Sequence, residues 1–373
     1  MRIGLIAPGG FDRRGRNEVI PALVDLTERL ARRHQVTVVV VRQEPEPSRY
    51  PLAGAQVINL GYMAARRPGR ISLRCLAKML SALADAGPRF DVLHAFWVAE
   101  CGVLAAAARW RWGMPVVVSV GGGELVWVPQ VRYGGQGDWR CRLQAAVALR
   151  GAGAVTAGSR FAAEPLARRA PPPELVPLGA DASRFDGPVE RPDGPPWRLL
   201  HVGGLNAVKN QEMLLRALRL LLPRLPEARL DLVGEDLLDG RLHRLAEQWG
   251  LAEKVRFHGL LDHPALIPLY RRAHLLLQSS WHESQGVAVC EAAACGVPTV
   301  GTAVGLVAEL APEAAWAVPV DDADALAEAV FTLVTDPGQR ERLGRAAQGW
   351  ARKHDADWTA AAFEALYEKL VRR

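Results

Sequence analysis

The segment Ser279–Pro298, SSWHESQGVAVCEAAACGVP, concentrates residues whose types and spacing could do chemistry. Leu275–Gln278 before it reads as a strand. A polar loop holding Glu283 and Gly286 follows. An Ala-rich run from Val287 to Cys295 then reads as a helix, with Gly296 as its stop and Pro298 just beyond. A helix that starts after a Gly-containing loop leaves the N–H groups of Val287 and Ala288 free to hold an anion, and the helix dipole favours it. Glu291, one turn into that helix, can accept from two neighbouring hydroxyls such as those of a ribose. Glu283 would point to a sugar beyond the phosphates. Two Glu residues eight positions apart mean little alone. Flanking an anion-binding turn, they match the hydroxyl–diphosphate–hydroxyl layout of a nucleotide-sugar.

A second element, His201–Gln211 (HVGGLNAVKNQ), also follows a strand and precedes a helix. Gly203 and Gly204 let a ligand approach the backbone. Lys209 can neutralise a diphosphate as a point charge. The chain has 41 Arg and only 5 Lys, which makes a Lys at this place informative.

The elements that must position these residues alternate strand and helix. Arg2–Ala7 is an apolar run closed by Pro8-Gly9-Gly10, and Val19–Arg33 has helical spacing. Val36–Val41, Asp91–Ala95, Pro115–Val120 and Ala154–Ala157 read as further strands. Around Asp186–Trp197 the composition turns to Gly and Pro, as in a hinge. The pattern then restarts with Arg198–Val202, Arg229–Val233, Val255–Phe257, Leu275–Gln278 and Pro298–Gly301. This is an α/β chain with parallel sheets. Two similar halves predict a ligand cleft between them, at the strand C-termini. The expected domains are residues 1–187, 188–355, and a terminal helix at 356–373 packing back on the first.

Composition narrows the rest. The chain of 373 residues is 49% hydrophobic and 23% charged, as in an ordinary globular protein. It holds no apolar run long enough for a transmembrane helix and no signal-like N-terminus, so a cytoplasmic setting is expected. Five cysteines without a Cys-x-x-Cys argue against a disulfide framework or zinc knuckle. Residues 1–187 carry 25 Lys and Arg against 15 Asp and Glu, whereas the remainder carries 21 against 25. The basic first half suits an anionic partner, but no basic-aromatic motif points to nucleic acid.

The chain resembles the family-4 retaining glycosyltransferases of GT-B fold. Glu283…Glu291 resembles that family's E-x7-E motif, including the trailing Glu-Ala-Ala-Ala-Cys-Gly-Val-Pro. Val202–Ala217 resembles its donor-phosphate segment, and Val176–Asp181 the stretch before its interdomain linker. Val255–Gly259 is similar to its Phe-x-Gly strand end beside the nucleotide base, which brings in His258. The resemblance covers nearly the whole chain and is most specific between residues 198 and 305. It implies two Rossmann-like domains facing across a cleft, with the acceptor on the first and the donor on the second. By matched position, Lys209 would bind the donor diphosphate, Glu291 the ribose and Glu283 the transferred sugar. The backbone at Gly286–Ala288 would hold phosphate or sugar oxygens, and Gly9 and Gly10 would face the diphosphate.

Two positions depart from the family pattern. Many members have Gly-Arg where this chain has Gly203-Gly204. Many carry a His where this chain has Gly121. His94 could partly replace that His or could be a core residue. Glu124 could bind an acceptor or sugar hydroxyl or could be a plain cap.

No cofactor is expected beyond a UDP- or GDP-linked sugar as co-substrate. No essential metal is expected either, because Asp322-Ala323-Asp324 and Asp355-Ala356-Asp357 read as helix caps. Met63–Ala84, with Arg66, Arg67, Arg70, Arg74 and Lys78 beside apolar residues, could meet an anionic membrane or a lipid-pyrophosphate acceptor, or could pack on the sheet. Trp97, Trp127 and Trp139 could stack on sugars or fill the core. The expected activity is hexosyl transfer to a carbohydrate or lipid-linked acceptor in cell-envelope or exopolysaccharide synthesis, at the inner face of the membrane. A non-catalytic sugar-nucleotide sensor, a GT-B epimerase and a phosphorylase are the alternatives.

Overall fold

In a computed structural model, eight strands build the first sheet: β1 (Arg2–Ala7), β2 (Gln35–Val40), β3 (Ser48–Leu52), β4 (Ala55–Asn59), β5 (Val92–Phe96), β6 (Val116–Val120), β7 (Ala154–Ala157) and β8 (Glu174–Leu175). The structure describes residues 1–15, 19–61, 73–86, 90–168, 171–185 and 191–372. The spatial order is β3-β4-β2-β1-β5-β6-β7-β8. All pairings are parallel except β3 with β4. The central strands are apolar and buried on both faces, the pattern a parallel sheet covered by helices requires.

Six strands build the second sheet: β9 (Trp197–Val202), β10 (Ala228–Val233), β11 (Val255–Phe257), β12 (Leu275–Gln278), β13 (Thr299–Thr302) and β14 (Ala315–Val318). Their order is β11-β10-β9-β12-β13-β14, all parallel. Helix Gln211–Leu221 lays Leu214, Leu218 and Leu221 on one face of this sheet, and helix Val287–Ala294 packs on the other.

The chain divides into two compact units, Met1–Leu178 with Ala356–Arg373, and Gly179–Asp355. The division precedes the sequence-based boundary at 187/188. The reason is packing: Ala180 and Phe185 are buried in the second unit's apolar core, where Phe185 stands edge-on to Tyr270. Part of the Gly/Pro-rich stretch, residues 186–190, lies outside the described residues. The terminal helix Ala356–Val371 buries Phe363, Leu366 and Tyr367 in the core beneath β1 and β2. The ion pair Arg29–Asp357 at 2.8 Å fixes it to helix Pro21–Ala31, and Arg33–Glu364 at 2.9 Å to the turn that follows that helix. Burying each large apolar side chain there is worth about 1.5–3 kcal/mol.

The hairpin β3–β4 and strands β8 and β14 escaped the sequence reading. The hairpin turn is Ala53-Gly54, both at positive φ, rather than the Asn-Gly or Asp-Gly that announces such a turn. Of the Met63–Ala84 segment, residues 62–72, with Arg66, Arg67 and Arg70, lie outside the described residues, and so does the side chain of Arg74. In the described helix Leu73–Asp85, Met79 and Leu83 are buried in the first unit's core and Leu80 packs against it. The described part of the apolar stripe therefore faces the protein, not a membrane. Among the described residues, no helix is long and apolar enough to cross a membrane.

Candidate functional site

At the C-terminal end of β9 the chain turns through Gly203 and Gly204 into a short, heavily bonded loop. Asn206 caps it by accepting the Lys209 N–H at 3.2 Å. Gln211, the first residue of the next helix, donates its Nε2 to the Gly204 carbonyl at 2.9 Å. His201 is buried, and its Nδ1 donates to the Leu277 carbonyl at 2.9 Å. Burial pushes its imidazole down to about 4, so it is neutral. The loop is thereby tied to β12 and to its own helix, and Lys209 projects from a fixed base.

Lys209 Nζ pairs with Glu283 Oε1. Ser280 Oγ donates to the same oxygen at 2.7 Å, and Ser279 Oγ donates to the Lys209 carbonyl at 2.8 Å. Burial would push the Glu283 carboxyl up, but the Lys209 charge and hydrogen bond, with Ser280, hold it below the usual carboxylate range. The two residues come from separate loops, so the structure brings together what the sequence keeps 74 positions apart.

Gly286 enters helix Val287–Ala294 at φ +93°, and no side chain caps that helix. The positive φ is what a Gly at this position supplies. Glu291 is 5% exposed inside the helix. Its Oε2 accepts from Tyr270 OH at 2.6 Å and its Oε1 lies 2.9 Å from His263 Nε2. A carboxylate has about four lone-pair sites, so two hydrogen bonds leave room for ligand hydroxyls. His263 and Tyr270 were missed from sequence. They are two helical turns apart on helix His263–Arg272 and so share one face, which is the signal that could have found them.

His258 follows β11, and its Nε2 lies 2.6 Å from Asp231 Oδ1 on β10.

In the first unit, Gly9 and Gly10 follow β1. Gly10 has φ +88°, and a Cβ there would meet Ile20 Cγ1 at 2.5 Å, so packing itself demands glycine. His94 is fully buried between Tyr367 OH at 2.6 Å and Ser119 Oγ at 2.7 Å. Burial pushes it down to about 3. Of its two readings, the core one holds, and His94 cannot touch a ligand in this conformation. Glu124 accepts from the backbone N–H groups of Val98 at 3.0 Å, Gly121 at 3.3 Å and Gly122 at 2.6 Å, which makes it a loop cap. Burial pushes its carboxyl up, against these donors. Trp97 stands at φ +70°, a strained setting for a bulky residue, with its indole against Gly121. Trp127 and Trp139 are exposed.

Residues 184–350 match the family described as Glycosyl transferases group 1, and residues 19–180 match the Glycosyl transferase 4-like domain. Together the two matches span most of both units, and both are glycosyl transferase families. The chain is 32% identical to a D-inositol 3-phosphate glycosyltransferase of Kribbella flavida over 46% of this chain and 44% of that one. It is 29% identical to the Xylanimonas cellulosilytica protein of the same name over 76% and 73%. The alignments with the Kribbella flavida protein and its Corynebacterium jeikeium counterpart span about half the length of those relatives. Among solved structures, sucrose-phosphate synthase from Thermosynechococcus elongatus aligns over 99% of both chains with TM-score 0.82 and 22% identity. The Anabaena protein HepE, solved with UDP-glucose, aligns over 99% of this chain and 100% of that one with TM-score 0.75 and 18% identity. The fold is GT-B.

The two departures from the family pattern have different physical settings. At Gly121 a Cβ would lie 2.8 Å from Trp97 Cε2, so the indole fills the place a side chain would take. At Gly204 the nearest atom to a Cβ is Asn206 Nδ2 at 3.5 Å, so a small side chain would meet only ordinary van der Waals contacts. No arginine lies on the loop between Gly203 and Gln211 to supply the missing charge.

Proposed function

We propose that the chain transfers a hexosyl unit from a nucleoside-diphosphate sugar to a carbohydrate or lipid-linked acceptor with retention at the anomeric carbon. The observation that carries this reading is the Lys209–Glu283 pair beside the uncapped helix at Val287. Cleaving the anomeric C–O bond leaves the electron pair on the diphosphate. The Lys209 ammonium and the N–H groups of Val287 and Ala288 would stabilise that charge. Lys209 is neutralised by Glu283 in the ligand-free protein. A diphosphate that draws Lys209 away frees the Glu283 carboxylate for sugar hydroxyls, so the two halves of the donor would be bound together. Glu291, oriented by Tyr270 and His263, accepts from the ribose. The Gly203 and Gly204 backbone and Gly286 border the phosphates. The acceptor oxygen attacks from the face the diphosphate leaves, and its proton passes to a phosphate oxygen. Gly9 and Gly10 would supply backbone to the diphosphate. None of these steps calls on a metal.

The UDP-glucose bound by HepE supports a uridine donor, with GDP as the other choice. The acceptor class suits cell-envelope or exopolysaccharide synthesis at the cytoplasmic face of the membrane. The test is a screen of nucleoside-diphosphate sugars for diphosphate release with chelator present, comparing wild type with Lys209→Ala and Glu291→Ala. Release by wild type, lost in both variants, is the expected result. Binding without turnover when glycan and lipid acceptors are supplied would replace the transferase with a sensor.

A further inference from the structure

One edge of the second sheet carries a strip of charged residues beside helix His263–Arg272. Side chains alternate along a strand. Leu199 of β9, Leu230 and Leu232 of β10 and Val255 of β11 point into one apolar core. On the opposite face, at this edge of the sheet, the positions between them are Arg198, Arg229, Asp231 and Arg256. Arg198 and Arg229 are direct cross-strand partners, and so are Asp231 and Arg256. These residues line a cavity of about 380 Å³, completed by Lys254, Glu253 and Arg272.

Leaving Arg272 aside, four cationic side chains, Arg198, Arg229, Lys254 and Arg256, line this cavity with two carboxylates, Asp231 and Glu253. Asp231 is already engaged by His258 at 2.6 Å. The Arg229 guanidinium donates to the Ala228 carbonyl at 3.3 Å and Lys254 to the Pro226 carbonyl at 2.6 Å, neither of which is a charge. Among the described residues, Arg198, Arg229 and Arg256 form no salt bridge. Neighbouring strands stand about 4.8 Å apart, and like charges directly opposite each other are destabilising. Two arginines at directly opposite strand positions that line one cavity would gain from an anion bound there. The planar guanidinium fork matches phosphate oxygens in pairs. The cavity volume falls within the usual range for small-molecule sites. Arg198 is the second residue of β9 and Gly203 follows its end, a separation of roughly 16 Å at strand rise, so the Arg198 end of the cavity is remote from Gly203, and neither Lys209 nor Glu283 lines it.

We propose that this cavity is a second binding site, for a small phosphorylated anion of the phosphate-monoester or diphosphate class. The test is calorimetric titration of the full chain with pyrophosphate and, separately, with a hexose 6-phosphate. Both are run in a Lys209→Ala background, which weakens diphosphate binding at the other cluster. The expected result is one saturable site tighter than about 1 mM for at least one probe. Adding Arg198→Ala and Arg229→Ala should weaken it at least tenfold, and the affinity should fall with salt. Melting of the ligand-free double-arginine variant should not drop, because it removes two like charges from directly opposite positions; a purely structural role would lower it. If that variant fails to fold, Arg198→Lys with Arg229→Lys keeps the charge and loses the fork, and should bind several-fold more weakly. Binding of neither probe, or binding that both arginine pairs leave unchanged, overturns the proposal. The probe that binds distinguishes monoester from diphosphate.

Discussion

Two glycine-containing loops end strands in the two units, and they are filled in opposite ways. After β6, Gly121, Gly122 and Gly123 are packed by the protein itself: the Trp97 indole lies on the first two, and a Cβ on the third would meet Tyr133 Cε1 at 2.4 Å. Glu124 closes that loop by satisfying its own backbone. After β9, Gly203 and Gly204 have nothing nearer to a Cβ than 3.5 Å. A charge pair borders them instead of an aromatic ring. The same residue type therefore serves close packing in one unit and makes only ordinary contacts beside a charged cluster in the other. Glycine in a strand-to-helix turn says where backbone can be approached, but only the neighbours decide whether protein or ligand does the approaching.

The largest expected effect separates the two loops by chemistry. Lys209→Ala should reduce donor turnover about 10²- to 10³-fold, the loss typical of removing one group that stabilises a developing anion. Glu124→Ala should leave turnover within about tenfold and act on stability, since its oxygens serve the backbone of its own loop and of Val98 after β5. Steady-state kinetics and thermal melts of both variants check this. Equal kinetic losses would erase the distinction drawn between the loops.

Substituting the glycines should give a smaller effect and a cleaner contrast. Gly121→Ala drives a methyl into the Trp97 indole and should cost about 1–3 kcal/mol of stability. Gly203→Ala meets only ordinary van der Waals contacts, Lys209 Cε at 3.5 Å among them, and should stay within about 0.5 kcal/mol of wild type. Yet Gly203→Ala should weaken donor binding, because the methyl enters space left for the ligand. Chemical denaturation and donor titration of the two alanine variants give both numbers.

Much of this was legible in the chain. The β-branched run of β2, the apolar β1 and β12 and the helical spacing after Gly203 reported themselves through burial, because a parallel strand between helices must be apolar on both faces. Lys209, Glu283 and Glu291 stood out because charged residues in otherwise apolar strand-loop-helix units are few. What sequence could not show was which partner each would meet. His94 looked like a strand-end histidine, but the terminal helix brings Tyr367 to its ring, a contact 273 positions away. His258 reads from sequence as part of a base-side turn, and its partner Asp231 on the neighbouring strand is not legible there. The Trp97–Gly121 packing is equally non-local, so a loop matching a family's histidine position could not announce that an indole already occupied it.

The smallest effect compares the two loop carboxylates by titration. Glu283 sits below the usual carboxylate range, where Lys209 outweighs burial, and Glu124 above it, where burial outweighs the backbone donors. An unfolded-chain Glu titrates near about 4.3. The stability contributed by Glu283 is therefore complete above that value and is lost as pH falls through its lower folded pKa. Glu124 has the opposite sign: its folded form holds the proton longer, so its contribution declines as pH rises from the unfolded value towards the folded one. Carboxyl NMR titration should show the two resonances displaced in opposite directions. In Lys209→Ala the Glu283 carboxyl loses its counter-charge but keeps its burial, so its pKa should rise. Glu124, whose shift owes nothing to Lys209, should not move. A Glu283 pKa that stays low without Lys209 would mean that Ser280 and other nearby groups, rather than the ion pair, hold the carboxylate.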